Sequence, residues 1–145
     1  ASEPAASALD ASGVRRTPVR LAVALLLQRP ALAGQAGDID ALRGLDDLPG
    51  LPLLVQLLEL SINEPQISPG AILERFRDTE HEAALWKLAT WDHLVPESGL
   101  EAEFTDAMAR IRRLLADRRL EHLNERLQAG ELTAEEWVEW TRLKQ

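Results

Sequence analysis

Leu100 to Ala129 reads LEAEFTDAMARIRRLLADRRLEHLNERLQA, with no proline or glycine to interrupt it. Such a stretch predicts one helix, about 45 Å long, which a chain of 145 residues cannot cover along its whole length. Its apolar positions carry the same message. Phe104, Met108, Ile111 and Leu115 recur at spacings of four, three and four, and the stripe then restarts, displaced by one position, as Leu120, Leu123 and Leu127. The charged run Asp117-Arg118-Arg119 sits at the slip. A displaced stripe turns the two ends of a helix toward different partners. The first half is expected to pack on the N-terminal part of the chain, and the second half on the C-terminal end.

That C-terminal end is short. Gly130 suits the position just beyond a helix C-terminus. Thr133-Ala-Glu-Glu136 has the pattern of a capping box, and Trp137, Val138, Trp140 and Leu143 make the next helix apolar on one side. A helical hairpin is therefore expected at the end of the chain. Two tryptophans are a large apolar load for so small a unit. Either one packs inside and apolar surface is left for another protein, since tryptophan is a favoured interface anchor, or both fill the hairpin or fold back on the body.

Upstream, leucine and alanine dominate, tyrosine is absent and period-two alternation is missing, so helices are expected throughout. Thr17-Pro18 opens the first, which Pro30 stops. Ala31 to Pro49, punctuated by Gly34, Gly37 and Gly44, reads as short turns of helix within loop. Pro52 to Asn63 is apolar around most of its surface and is expected to be the buried central helix. Ser68-Pro69 opens a helix through Arg77. Thr79 to Glu82 has the pattern of a second capping box, for a helix to about Asp92. The fold class expected is all-α: a helical bundle over residues 15–116, joined by a long helix to a helical hairpin over 117–145. Residues 1–14 are rich in Ala, Ser, Gly and Pro and are expected to be a flexible linker or a frayed end.

Composition narrows function. The net charge of −8 makes broad contact with nucleic acid phosphates unexpected. The absence of cysteine excludes disulfides, thiol catalysis and zinc–thiolate sites, and with no secretory signal it fits the cytoplasm. No apolar run approaches the roughly 20 residues needed to span a bilayer. His81, His93 and His122 are scattered without metal-ligand spacing and are expected to be surface or cap residues. Neither a nucleophile motif nor a phosphate-cradling glycine loop is present, so no catalytic residue, metal site or cofactor is expected in this segment. Arg15, Arg16 and Arg20 stand out at the first helix. They are either a solvated helix start or a site for carboxylates, and cations at a helix N-terminus oppose its dipole, which leans toward the second reading.

Thr17-Pro-Val-Arg-Leu-Ala-Val-Ala-Leu-Leu-Leu-Gln-Arg-Pro30, Leu48-Pro-Gly-Leu51, Trp86-Lys-Leu-Ala-Thr-Trp-Asp92, the long helix and the ending Glu135-Glu-Trp137 with Trp140-Thr141 succeed one another in an order that resembles the C-terminal domain of bacterial DnaG-type primase. The resemblance covers about residues 15–145. It implies a helical bundle joined through a long helix to a hairpin that docks on the N-terminal domains of the hexameric replicative helicase, DnaB. Synthesis of RNA primers, with its zinc and magnesium, would belong to an upstream catalytic core reached through residues 1–14. On this resemblance the helicase-binding residues are Leu120, Leu123, Leu127, Trp137, Trp140 and Thr141. It further implies a site for the acidic C-terminal tail of single-stranded-DNA-binding protein at Arg15, Pro18, Val19, Arg20, Val23, Lys87 and Leu88. The alternative is a helical adaptor unrelated to replication.

Overall fold

The computed structural model describes residues 15–145, and the expected linker at 1–14 lies outside them. The described residues form six α-helices with short 3-10 turns between them and no strand. α1 is Pro18–Gln28, α2 Leu51–Asn63, α3 Pro69–Arg75, α4 Glu82–Ala89, α5 Leu100–Gln128 and α6 Ala134–Leu143. The chain divides into two compact units between Ala109 and Arg110, inside α5.

In the first unit the ends of helices obey local chemistry. Thr17 Oγ1 accepts the Arg20 N–H at 3.1 Å and Pro18 occupies the first turn of α1. Ser68 does the same for α3, accepting from Ala71 N–H at 3.1 Å. Gly50 precedes α2 at φ 83°, where a Cβ would meet Val19 Cγ1 at 3.2 Å. Both the backbone angle and the close approach of α1 exclude a larger residue there.

α1 takes the central place expected of Pro52 to Asn63. Val19 and all seven residues from Leu21 to Leu27 are buried. α1 packs against α2, α3, α4 and the 3-10 turn Pro30–Gln35. The small Ala22 and Ala24 let neighbours come close, while Leu21, Leu25 and Leu26 fill the space between them. Each fully buried leucine contributes about 1.5–3 kcal/mol. α2 is buried on one side through Leu51, Leu54, Leu57 and Leu58 but exposes Pro52, Gln56 and Ile62.

The expected capping box at Thr79 is not formed. Thr79 Oγ1 donates to the Phe76 carbonyl at 2.5 Å and accepts from His81 N–H at 3.2 Å. The Glu82 carboxylate accepts from Asp78 N–H at 3.4 Å instead. Asp78 lies in the left-handed region at φ 63°. That turn ends α3 early and delays α4 to Glu82. α4 also stops at Ala89, short of Asp92, and the Thr90 hydroxyl after it bonds back to the Trp86 and Lys87 carbonyls at 2.9 and 3.3 Å.

Of the displaced stripe, Phe104, Met108, Ile111 and Leu115 are all buried. In the continuation only Leu123 is sealed, at 0% exposure, while Leu120 and Leu127 are half-buried. Among the described residues no helix is long and apolar enough to cross a membrane.

Candidate protein-docking sites

The second unit, Arg110–Gln145, contains the hairpin. α5 ends on a glycine-based cap. Gly130 sits at φ 73°, its N–H bonds the Leu127 carbonyl at 3.1 Å, and Glu131 N–H bonds the Arg126 carbonyl at 2.9 Å. The chain then turns into α6 through a complete capping box. Thr133 Oγ1 accepts from Glu136 N–H at 3.1 Å, and the Glu136 carboxylate accepts from Thr133 N–H at 3.0 Å.

Ion pairs join the two helices in addition to apolar contact. Arg119 donates to both Glu139 oxygens at 2.8 and 3.0 Å. Arg126 donates to Glu136 Oε1 through two nitrogens at 3.1 and 2.9 Å, and to the Glu131 carbonyl at 2.7 Å. Hydrogen bonding from Arg119 pulls the Glu139 carboxyl below its ordinary value of 4.5. The Thr133 backbone N–H, and then Arg126, lower Glu136 in the same way. Arg119 is raised by its bond to Glu139. A carboxylate that accepts several hydrogen bonds is held in its charged form.

The two tryptophans have different environments. Trp140 is half-buried, donates Nε1–H to Asn124 Oδ1 at 2.6 Å and carries the Lys144 ammonium over its ring at 5.6 Å. Trp137 stacks on it, centroids 5.4 Å apart at 27°, yet is 50% exposed. Val138 beside it is 64% exposed. Thr141 is exposed, but its hydroxyl bonds the Trp137 carbonyl at 2.9 Å. Of the six hairpin residues singled out in the sequence, Leu123 thus seals the interior and Leu120, Leu127 and Trp140 line it in part. Trp137 and Thr141 face outward. Val138 is missing from that group, although its place next to Trp137 on a helix with half-buried Trp140 is the available signal. In the sequence the two arginine–glutamate clasps are legible only as solvated charge.

The second candidate lies in the first unit, where α1 packs on α4. Arg15 and Lys87 are exposed, and Arg20 and Pro18 are half-buried. The Arg20 guanidinium donates to the Arg15 carbonyl at 3.3 Å. Val19, Val23 and Leu88 are buried, and Leu88 lines a groove beside α4. Arg16 departs from the cluster. It donates to the His93 carbonyl at 2.8 Å and lies over the Trp91 ring at 5.6 Å. His93, expected at the surface, is buried. Its Nε2 lies 3.0 Å from Gln28 Oε1, its Nδ1 accepts Val95 N–H at 3.1 Å, and its ring meets Trp91 edge-on at 5.8 Å. Burial first, and Arg16 second, lower its pKa from 6.5, against Asp92. Next to these residues runs a groove of about 450 Å³ lined by Leu27, Leu73, Trp86, Leu88 and Trp91 among others. Among the described residues no group of three or more His, Asp or Glu is placed to hold a metal ion.

Residues 19–143 match the family model described as DNA primase DnaG DnaB-binding. The chain is 45% identical over 95 residues to a DNA primase of Pasteurella multocida, covering 66% of this chain and 16% of that protein. It is 34% identical over 131 residues to the DNA primase of Escherichia coli K12, covering 88% and 22%. It therefore spans about a fifth of the length of these relatives or less. The C-terminal domain of DnaG primase from Vibrio cholerae has a similar structure, with a TM-score of 0.75, 33% identity, and coverage of 88% of this chain and 92% of that one.

Proposed function

This chain belongs to the DnaG primase DnaB-binding family, and from that premise we propose that it is the non-catalytic C-terminal domain of a primase. The hairpin docks on the N-terminal domains of the hexameric replicative helicase, brings primer synthesis to the replication fork, and stimulates the helicase. The whole protein is then a DNA-dependent RNA polymerase acting in the cytoplasm, with zinc and magnesium confined to its upstream domains.

The observation that carries this reading is the division of labour within the hairpin. Leu123, Trp140 and the two arginine–glutamate clasps hold the helices together, while Trp137, stacked on Trp140, and Val138 remain exposed at 50% and 64%. Exposed aromatic surface on a braced scaffold is what a protein interface uses as an anchor. Removing residues 120–145 should leave the bundle helical and abolish association with the helicase hexamer in a pull-down. Undiminished capture by the shortened chain would refute the reading in favour of an adaptor role elsewhere on the molecule.

The exposed Arg15, bonded through its carbonyl to Arg20, and the exposed Lys87 on α4, which packs on α1, favour a second role for the bundle in binding the acidic C-terminal tail of single-stranded-DNA-binding protein. Guanidinium and ammonium groups would hold the carboxylates. Arg20→Glu or Lys87→Glu should weaken a titrated acidic peptide, with a difference that shrinks at high salt. Equal binding by wild type and both variants would remove the tail site.

A further inference from the structure

We propose that Asn124 is a positioning residue for helicase docking: by accepting the Trp140 indole N–H it sets the ring on which the exposed Trp137 rests. This deepens the helicase-binding reading above and depends on it. Asparagine is a weak helix former, because its amide competes for backbone hydrogen bonds. Asn124 nevertheless sits within α5, half-buried. Its amide has a use there, since Oδ1 accepts from Trp140 Nε1 at 2.6 Å across the hairpin.

Closure of the hairpin has other supports in the sealed Leu123 and the clasps from Arg119 and Arg126. What the amide adds is direction. An indole turns about two side-chain torsions, the outer one broad, and apolar contact alone leaves several ring angles of similar energy. A hydrogen bond from Nε1, which prefers to be nearly straight, selects one of them. The consequence reaches Trp137, whose ring lies 5.4 Å from that of Trp140 at 27°. Such a stack holds only while the two planes stay close to parallel. Turning Trp140 would break it and release the half-exposed Trp137 into other rotamers. An anchor that must be ordered at the moment of binding gives up part of its affinity to that ordering. Asn124, Trp140 and Trp137 thus form a chain of three contacts, running from the inside of the hairpin to its docking face.

The test titrates the full chain against the isolated helicase hexamer. Circular dichroism reads the fold through its helical signal, and the ring pair through the exciton couplet of the stacked indoles, taken as the difference from Trp137→Ala. Asn124→Ala introduces the best helix former, so it should keep the helical signal. It should lose most of the couplet and bind the hexamer about three- to tenfold more weakly. Asn124→Asp keeps an acceptor oxygen and should rescue both. Trp140→Phe deletes the donor while keeping an aromatic body, and should weaken binding to a similar extent, so the inference does not stand on one variant. In a Trp137→Ala background Asn124→Ala should have little further effect on binding, because its influence runs through that ring. An amide that merely braced the hairpin would weaken binding in both backgrounds. A wild-type couplet and affinity in Asn124→Ala, or an equal loss of binding with and without Trp137, would overturn the proposal. If the wild-type chain itself fails to bind the hexamer, the helicase reading falls and the docking role with it, an outcome distinct from a variant that matches the wild type.

Discussion

Leu123 and Trp137 lie on facing helices of one hairpin and do opposite work. Leu123 is fully buried, so Leu123→Ala should cost about 2–5 kcal/mol through the lost apolar burial and the cavity left behind, read as a lower midpoint for the hairpin in denaturant. Trp137 is half exposed. Trp137→Ala, which loses only the stack on Trp140, should lower that midpoint less than Leu123→Ala does and weaken helicase binding by about 2 kcal/mol, roughly 30-fold. His93 offers a third test. It is kept neutral by burial and Arg16, with Nδ1 accepting from Val95. Its folded pKa lies below the unfolded 6.5, so the unfolded chain binds the proton first. The stability it contributes is complete above 6.5 and is lost as pH falls from there through the lowered folded value. His93→Gln should flatten that part of a stability–pH curve, and an unchanged curve would remove the role. Nothing in the sequence distinguishes His93 from the other two histidines, since its burial depends on Gln28 and Arg16, more than 60 residues away.

At the scale of elements, helix ends marked by local chemistry were legible. Thr17-Pro18, Ser68-Pro69, Gly130 and the Thr133–Glu136 box all stand where the sequence placed them. Thr79–Glu82 has the same pattern but forms no box, because the preceding turn at Asp78 takes the Glu82 carboxylate. A four-residue motif does not record the path of the chain before it. The hairpin clasps were illegible for a related reason. Arg119–Glu139 and Arg126–Glu136 depend on the register of two helices, which spacing within either helix does not set. Both glutamates ionise below their ordinary 4.5. The clasps therefore contribute fully above that pH and fade as it falls through the lowered folded values. Trp140 emission should report the hairpin loosening in that acid range, and Glu139→Gln should remove part of the transition. Gly130→Ala, forced to φ 73°, should destabilise the unit by about 1 kcal/mol.

For the whole molecule, the apolar stripe of α5 slips between Leu115 and Leu120, and the division between the compact units falls inside the same helix but earlier, between Ala109 and Arg110. The choice of α1 over α2 as the bundle's centre was not read from the sequence, which marked Pro52 to Asn63 as apolar around most of its surface; the run Leu21–Leu27 is the signal for α1, and packing ranks the two. The function proposed places recruitment in the second unit, at the exposed Trp137 and Val138. The most direct measurement is a titration of the full chain carrying Trp137→Ala and Val138→Ser against the helicase hexamer, beside the wild type and with hairpin stability recorded in parallel. Binding should fall by about a hundredfold or more while the hairpin stays folded. Wild-type affinity in that doubly substituted chain would contradict a docking role for this face.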